Sequence, residues 1–212
     1  MDDRQRLREI DRILGGLFPE TTALRFSSPF TLLVAAILAA QCTDERVNQV
    51  TAALFNRYPD AQAFARAPLE ELEEAVRSTG FYRQKSRALK ACGQGLVERF
   101  GGQVPDRVDE LTTLPGVGRK TANLVLGNSL GIPGVFVDTH VKRVSHRLGF
   151  TKNTDPDKIE GDLAPLINPP RQVGLSNLLT HLGRNICTAR KPKCSQCPVS
   201  HLCPKVGVRD GV

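Results

Sequence analysis

The 212-residue chain has no tryptophan and only two tyrosines, and aromatic residues make up 5% of it. Proteins that grip single-stranded nucleic acid offer successive aromatic faces for bases to stack on, so this scarcity argues against that mode. Long hydrophobic runs are also missing. The longest, Phe30 to Ala40, has one polar residue in eleven. A bilayer takes about 20 apolar residues, so this run predicts a buried helix. The N-terminal stretch MDDRQRLREIDRIL is charged throughout and has no leader-like apolar core, which predicts a cytoplasmic chain. No segment alternates apolar and polar residues over a strand's length. No low-complexity tract is present, and nothing repeats at the roughly 20–50-residue period of solenoids. What remains is an all-α fold of short helices.

The most prominent feature that is present is positive charge. The net charge is +7 and the sequence pI about 9.3, which favours an anionic partner, with nucleic acid the leading candidate. The length suffices for a real core and one or two domains.

Leu7, Ile10, Leu14 and Leu17 recur at helical spacing within residues 3–18. Ser28-Pro29 is a start signal for a second helix, apolar almost all round, that is predicted to run to Gln41. Asp44 is the expected cap of the next, whose face is Val47, Val50 and Leu54. Pro68 opens the short segment LEELEEAVRST, which Gly80 closes; Phe81-Tyr82-Arg83 form a loop, and Gln84 to Phe100 is helical again. Asp106 is the expected cap of a short helix. Further helices follow Asp138, Asp155-Pro156 and residue 171, and 187–212 is a Cys- and Pro-rich tail. The N-terminal helix is too small to stand alone and should pack on the C-terminal part, making one domain discontinuous.

Chemistry concentrates between Leu111 and His140. Leu114-Pro115-Gly116-Val117-Gly118 is a turn in which proline fixes φ and two glycines permit positive φ or close approach. A helix with Arg119, Lys120 and Thr121 in its first turn follows. Free N–H groups at a helix start bind anions, and a lysine there is either a phosphate ligand or a nucleophile. Asp138 lies eighteen residues beyond Lys120, at the start of the next helix. It is a cap, a catalytic carboxylate, or both.

Four of the six cysteines fall within seventeen residues: Cys187, Cys194, Cys197 and Cys203. In a reducing compartment this clustering implies a metal centre, and the spacing suits zinc or an iron–sulfur cluster. Cys42 and Cys92 lie alone on apolar patterns and read as core. Arg190, Lys191 and Lys193 sit in the short loop between the first two clustered cysteines, a basic prong suited to phosphate or simply solvated.

LPGVGRKTAN, then VDTHV, then C-x6-C-x2-C-x5-C together resemble the endonuclease III family of the helix–hairpin–helix–GPD superfamily, over nearly the whole chain. The resemblance implies a two-lobed helical fold: residues 22–132 form a six-helix, barrel-like domain with the helix–hairpin–helix, and 1–21 plus 133–212 a discontinuous domain with a C-terminal iron–sulfur cluster loop. It implies a bifunctional glycosylase that removes oxidised pyrimidines from duplex DNA and cleaves the abasic site by β-elimination. Leu114, Gly116, Val117 and Gly118 would grip a phosphate through backbone amides. Lys120 would be the nucleophile and Asp138 its carboxylate. Gln41 would fill the gap left by a flipped nucleotide and Phe81 would be a wedge. Cys187, Cys194, Cys197 and Cys203 would hold a [4Fe-4S] cluster, and the enzyme would act as a monomer. Phe81 stands where the family pattern has leucine, Ala39 where it has serine, and Cys42 where it has alanine. Two other readings fit parts of the pattern: an adenine-removing glycosylase without lyase activity, which would lack a lysine at position 120, and a non-catalytic DNA-binding iron–sulfur protein, which would need no lysine–aspartate pair.

Overall fold

The computed structural model describes residues 1–208. The last four residues of the predicted tail lie outside the described residues. Among those described there are eleven α-helices, five short 3-10 turns and no strand. The chain divides into two compact units, Ala23–Ile132 and a discontinuous one of Met1–Thr22 with Pro133–Val212.

Helix α1 (Asp3–Gly15) belongs to the discontinuous unit, and the continuous unit begins with α2 (Pro29–Leu38). Ser28 and Thr31 form a reciprocal cap: Thr31 N donates to Ser28 Oγ at 3.2 Å, and Ser28 N to Thr31 Oγ1 at 2.9 Å. Leu32, Leu33, Val34, Ala35 and Leu38 are all buried, so α2 is central. It packs on α3 (Asp44–Arg57), α6 (Tyr82–Phe100) and α8 (Arg119–Leu130), while α4 (Ala61–Arg66) and α5 (Leu69–Val76) lie against α6. The small α7 (Val108–Leu111) leads into the hairpin and α8.

The discontinuous unit joins α1 to α9 (Thr139–Arg147), α10 (Pro156–Leu163) and α11 (Gln172–Asn185). Leu7, Ile10 and Leu14 enter a core with Val141, Val144, Leu178 and Leu182. Full burial of those three α1 side chains contributes roughly 5–9 kcal/mol. Arg171 adds two forks, to Asp11 at 2.9 Å and to Glu20 at 2.6 and 2.8 Å. Helices α9 and α11 meet closely at Gly183, where an added Cβ would lie 2.8 Å from His140 Cβ.

Several local expectations shift. Helix α1 stops at Gly15, and Leu17 is 59% exposed instead of continuing the apolar face. The Gly15-Gly16 pair disfavours helix, and Leu17 N instead closes a turn onto Leu14 O. Helix α2 ends at Leu38, leaving Gln41 in a turn outside it. Thr43 caps α3, and Asp44 is its first helical residue. Asp106 caps nothing; Arg107 precedes α7 without a side-chain cap. Helix α6 begins at Tyr82, directly after Phe81. Cys92 is buried, and burial pushes its thiol up to about 12; Cys42 is only half-buried.

Candidate functional site

The hairpin belongs to the continuous unit. Leu114 and Val117 are 3% and 7% exposed, so their side chains anchor the turn inward, while Pro115, Gly116 and Gly118 are exposed. Gly116 has φ +80°, and a Cβ there would come within 2.9 Å of Ala88 Cβ, so both conformation and space require glycine. Gly118 differs: its φ is −95°, and a Cβ would meet nothing within 4 Å. The missing side chain leaves an open approach. Gly118 provides no side-chain cap for α8, so the first-turn amides have no in-helix acceptor. Lys120, second in that helix, is exposed and has no hydrogen-bond or ion-pair partner among the described residues.

Gln41 and Phe81 share an unexpected property. Both are non-glycine residues in left-handed backbone, with φ +53° and +48°. Such conformations cost roughly 1–3 kcal/mol each and persist where the surroundings over-determine them. Phe81 is 61% exposed, a large aromatic facing solvent. Both residues line one cleft with Ile37, Gln84, Lys85 and Gly116. The guanidiniums of Arg77 and Arg83 lie over the Tyr82 ring, at 5.4 and 5.6 Å, which makes Tyr82 a packing residue.

Lys85 is a residue that periodicity did not single out. It is 5% exposed, and its Nζ donates to Leu38 O at 2.9 Å and Thr79 O at 2.8 Å. Burial pushes the ammonium down from its ordinary range, with Cys42 acting weakly the other way. A signal was available: Lys85 is in phase with Leu89, Cys92 and Leu96, the buried face of α6.

In the discontinuous unit Asp138 is the N-cap of α9. Its Oδ1 accepts from His140 N at 2.8 Å and Val141 N at 2.7 Å. Its Oδ2 has no partner among the described residues. His140 is pushed below the ordinary imidazole value chiefly by burial, with Asp138 opposing and Arg143 and Arg184 assisting. Its Nδ1 lies 3.1 Å from Arg143 Nη2, a structural contact.

Helix α9 also holds the cysteine loop. Arg143 Nε donates to Cys187 O at 3.0 Å; Arg147 donates to Thr188 O at 2.7 Å and Ala189 O at 2.8 Å, and its Nη1 lies 3.3 Å from Cys187 Sγ. Thr188 Oγ1 donates to Lys191 O at 2.6 Å, and Lys193 N to Ile186 O at 3.0 Å, closing the loop on itself. Arg190, Lys191 and Lys193 are thereby set on a fixed loop, and their side chains have no partner among the described residues. Cys187, Cys194, Cys197 and Cys203 are half-buried and line a single cavity with Ile186, Pro192 and Val208. Four thiol sulfurs around a common space are a donor set that suits an iron–sulfur cluster.

Residues 34–169 match the HhH-GPD superfamily of base excision DNA repair proteins, and residues 187–203 match the iron–sulfur binding domain of endonuclease III. Endonuclease III of Synechocystis is 54% identical over 203 residues, spanning 95% of this chain and 93% of its own. The chain belongs to the endonuclease III family. The Bacillus subtilis endonuclease III is 41% identical, covering 95% of this chain and 92% of its own. A solved structure of a trapped endonuclease III–DNA covalent intermediate, an estranged-adenine complex, superposes with a TM-score of 0.89 at 40% identity and covers 97% of each chain. Endonuclease III family membership, with the match at 187–203, identifies the cofactor as a [4Fe-4S] cluster.

Proposed function

We propose that Lys120 and Asp138 carry the chemistry of this base-excision DNA glycosylase and abasic-site lyase, whose partner is duplex DNA with a damaged base or abasic site. The observation that carries the assignment is Lys120 itself: an exposed, unpartnered amine in the first turn after the uncapped Gly118.

A base inside a duplex shields its sugar carbon, so the nucleotide must first leave the stack. Leu114 N and Val117 N donate to Leu111 O and Leu114 O, both at 3.2 Å, and Pro115 has no N–H, so within the hairpin the Gly116 and Gly118 amides are the ones that hold a phosphate, and Arg190, Lys191 and Lys193 add phosphate contacts that set position but carry no sequence information. Phe81 and Gln41 occupy the vacated space and offset part of the few kcal/mol that unstacking costs. The Lys120 amine attacks C1′, and the C1′–N bond breaks with its electron pair leaving on the base. The resulting hemiaminal opens to a protonated imine as the C1′–O4′ bond breaks and O4′ takes a proton; loss of the C2′ proton then forms the C2′–C3′ double bond as the C3′–O bond breaks and the 3′ phosphate departs. A water nucleophile forms no imine, so lysine is what joins base removal to strand scission. Asp138 supplies a fixed anion for the cationic sugar, its Oδ1 locked by two amides and its Oδ2 free. Cys187, Cys194, Cys197 and Cys203 would hold the cluster, which crosslinks the loop that presents the basic prong.

The base is an oxidised pyrimidine in this reading, with Ala39, Cys42 and Phe81 shaping the choice. Among the described residues no helix is long and apolar enough to cross a membrane; a cytoplasmic, nucleoid-associated monomer fits the activity. Borohydride trapping on abasic-site DNA tests the assignment. Wild type should give a covalent adduct and Lys120→Ala none while still binding DNA; a full adduct from Lys120→Ala overturns it. An adenine-removing enzyme without lyase activity would give no adduct even from wild type.

A further inference from the structure

We infer that Lys85 is a positioning residue for base eversion, its buried ammonium clamping the turn that presents Gln41 to the turn that presents Phe81. The inference rests on the wedge roles assigned above to those two residues. Among the described residues no other charged side chain is buried to this extent. Nothing acidic pairs with it; its two partners are backbone carbonyls, Leu38 O and Thr79 O.

Those carbonyls come from separate segments. Leu38 ends α2, and its carbonyl is among those the helix leaves without an in-helix donor; a cation there also suits the negative helix end. Three residues later stands Gln41. Thr79 ends the 3-10 turn Arg77–Thr79, and two residues later stands Phe81. Lys85 itself follows Phe81 by one helical turn and donates its N–H to Phe81 O at 3.0 Å. One side chain thus ties together both left-handed turns and the start of α6. Without it each turn is free to relax its positive φ by itself, and the distance between the two inserting side chains is no longer set. Burial makes the clamp stiff, since a cation removed from water holds its acceptors firmly.

The role predicts an effect confined to steps in which a base leaves the stack. The test uses Lys85→Met, which keeps the volume and removes the donors, on two duplexes. One carries a single thymine glycol next to 2-aminopurine, whose fluorescence rises on unstacking; the other carries a preformed abasic site, with no base to evict. Expected for Lys85→Met is a slowing of the fluorescence phase and of base excision by about 10-fold or more, since misplacement by ~1 Å costs up to ~100-fold. β-Elimination at the abasic site should stay within a few-fold of wild type. Equal slowing on both duplexes, or no slowing on either, overturns the inference. If Lys85→Met does not fold, Lys85→Gln is judged by the same ratio. Lys85→Arg, which keeps charge and donors, should recover part of the fluorescence phase. Phe81→Ala in the same assay separates the two layers: wild-type kinetics there overturn the wedge reading and this inference together, whereas slow Phe81→Ala with wild-type Lys85→Met overturns only the clamp.

Discussion

In the proposed mechanism Asp138 has two jobs on two oxygens, and substitution separates them. Oδ1 accepts from two amides of α9, at 2.8 and 2.7 Å, while Oδ2 is free. Removing a cap of this kind costs about 1 kcal/mol, and losing a negative charge at a helix start costs about 0.3–1 kcal/mol more. Asp138→Ala loses both, a total of about 1.5 kcal/mol, which for a chain of this size is a fall of about 3–6 °C in melting temperature. Asp138→Asn keeps an oxygen in the place of Oδ1 and loses only the charge, about 0.5 kcal/mol or ~1–2 °C. Catalysis should order differently. Both variants lack the carboxylate proposed to meet the cationic sugar, so single-turnover base excision should fall on the order of 100-fold or more in each. Melting curves and single-turnover excision, measured on the same preparations with the cluster intact, check the two orderings. If Asp138→Asn excises at the wild-type rate, the aspartate is only a cap. If Asp138→Asn is as unstable as Asp138→Ala, Oδ1 is not what holds the helix start.

Cys197→Ser should yield protein that is paler and poorer in iron and sulfide than the brown wild type; colourless wild-type protein with stoichiometric zinc would sink the cluster reading. Replacing Arg190, Lys191 and Lys193 together by alanine should weaken binding to undamaged duplex and flatten the plot of log affinity against log salt by ~0.9 for each phosphate no longer neutralised; an unchanged slope means the prong faces solvent. The Arg171 hydrogen bond holds the Glu20 carboxyl below its ordinary value, against a smaller upward push from burial. With the folded value depressed, this stabilisation is complete above the ordinary carboxylate range and is lost as pH falls through the folded value. Urea midpoints from about pH 6 down to about pH 3 should therefore fall more steeply for wild type than for Glu20→Gln; parallel curves would show that the fork contributes nothing.

The all-helical class, the position of the hairpin, the lysine and the four cysteines were all legible in the sequence, because each depends on neighbours close in the chain. A Pro–Gly turn, a helix start and a cysteine spacing are local facts. Helix ends were less legible. Leu17 continues the apolar period of α1 but falls beyond Gly15-Gly16, and the run that predicts a helix to Gln41 ends at Leu38, where a lysine 47 residues away takes the carbonyl. Periodicity reports which side chains prefer burial and is silent about which backbone groups find other partners. The left-handed backbone at Gln41 and Phe81 was hidden for the same reason, since neither is a glycine and nothing adjacent announces the conformation. Lys85 is the clearest case. Its phase with Leu89, Cys92 and Leu96 placed it on the buried face, but a lysine in that register ordinarily carries its charge out to water. Whether it stays inside depends on acceptors, and those acceptors come from the end of α2 and from the turn at Thr79. The sequence alone therefore determined which chemistry this protein carries, because that is set by residue types at short spacings. Tertiary structure alone decided that the Lys85 ammonium stays inside, on Leu38 O and Thr79 O, because a buried charge is tolerated only where distant parts of the chain bring it partners.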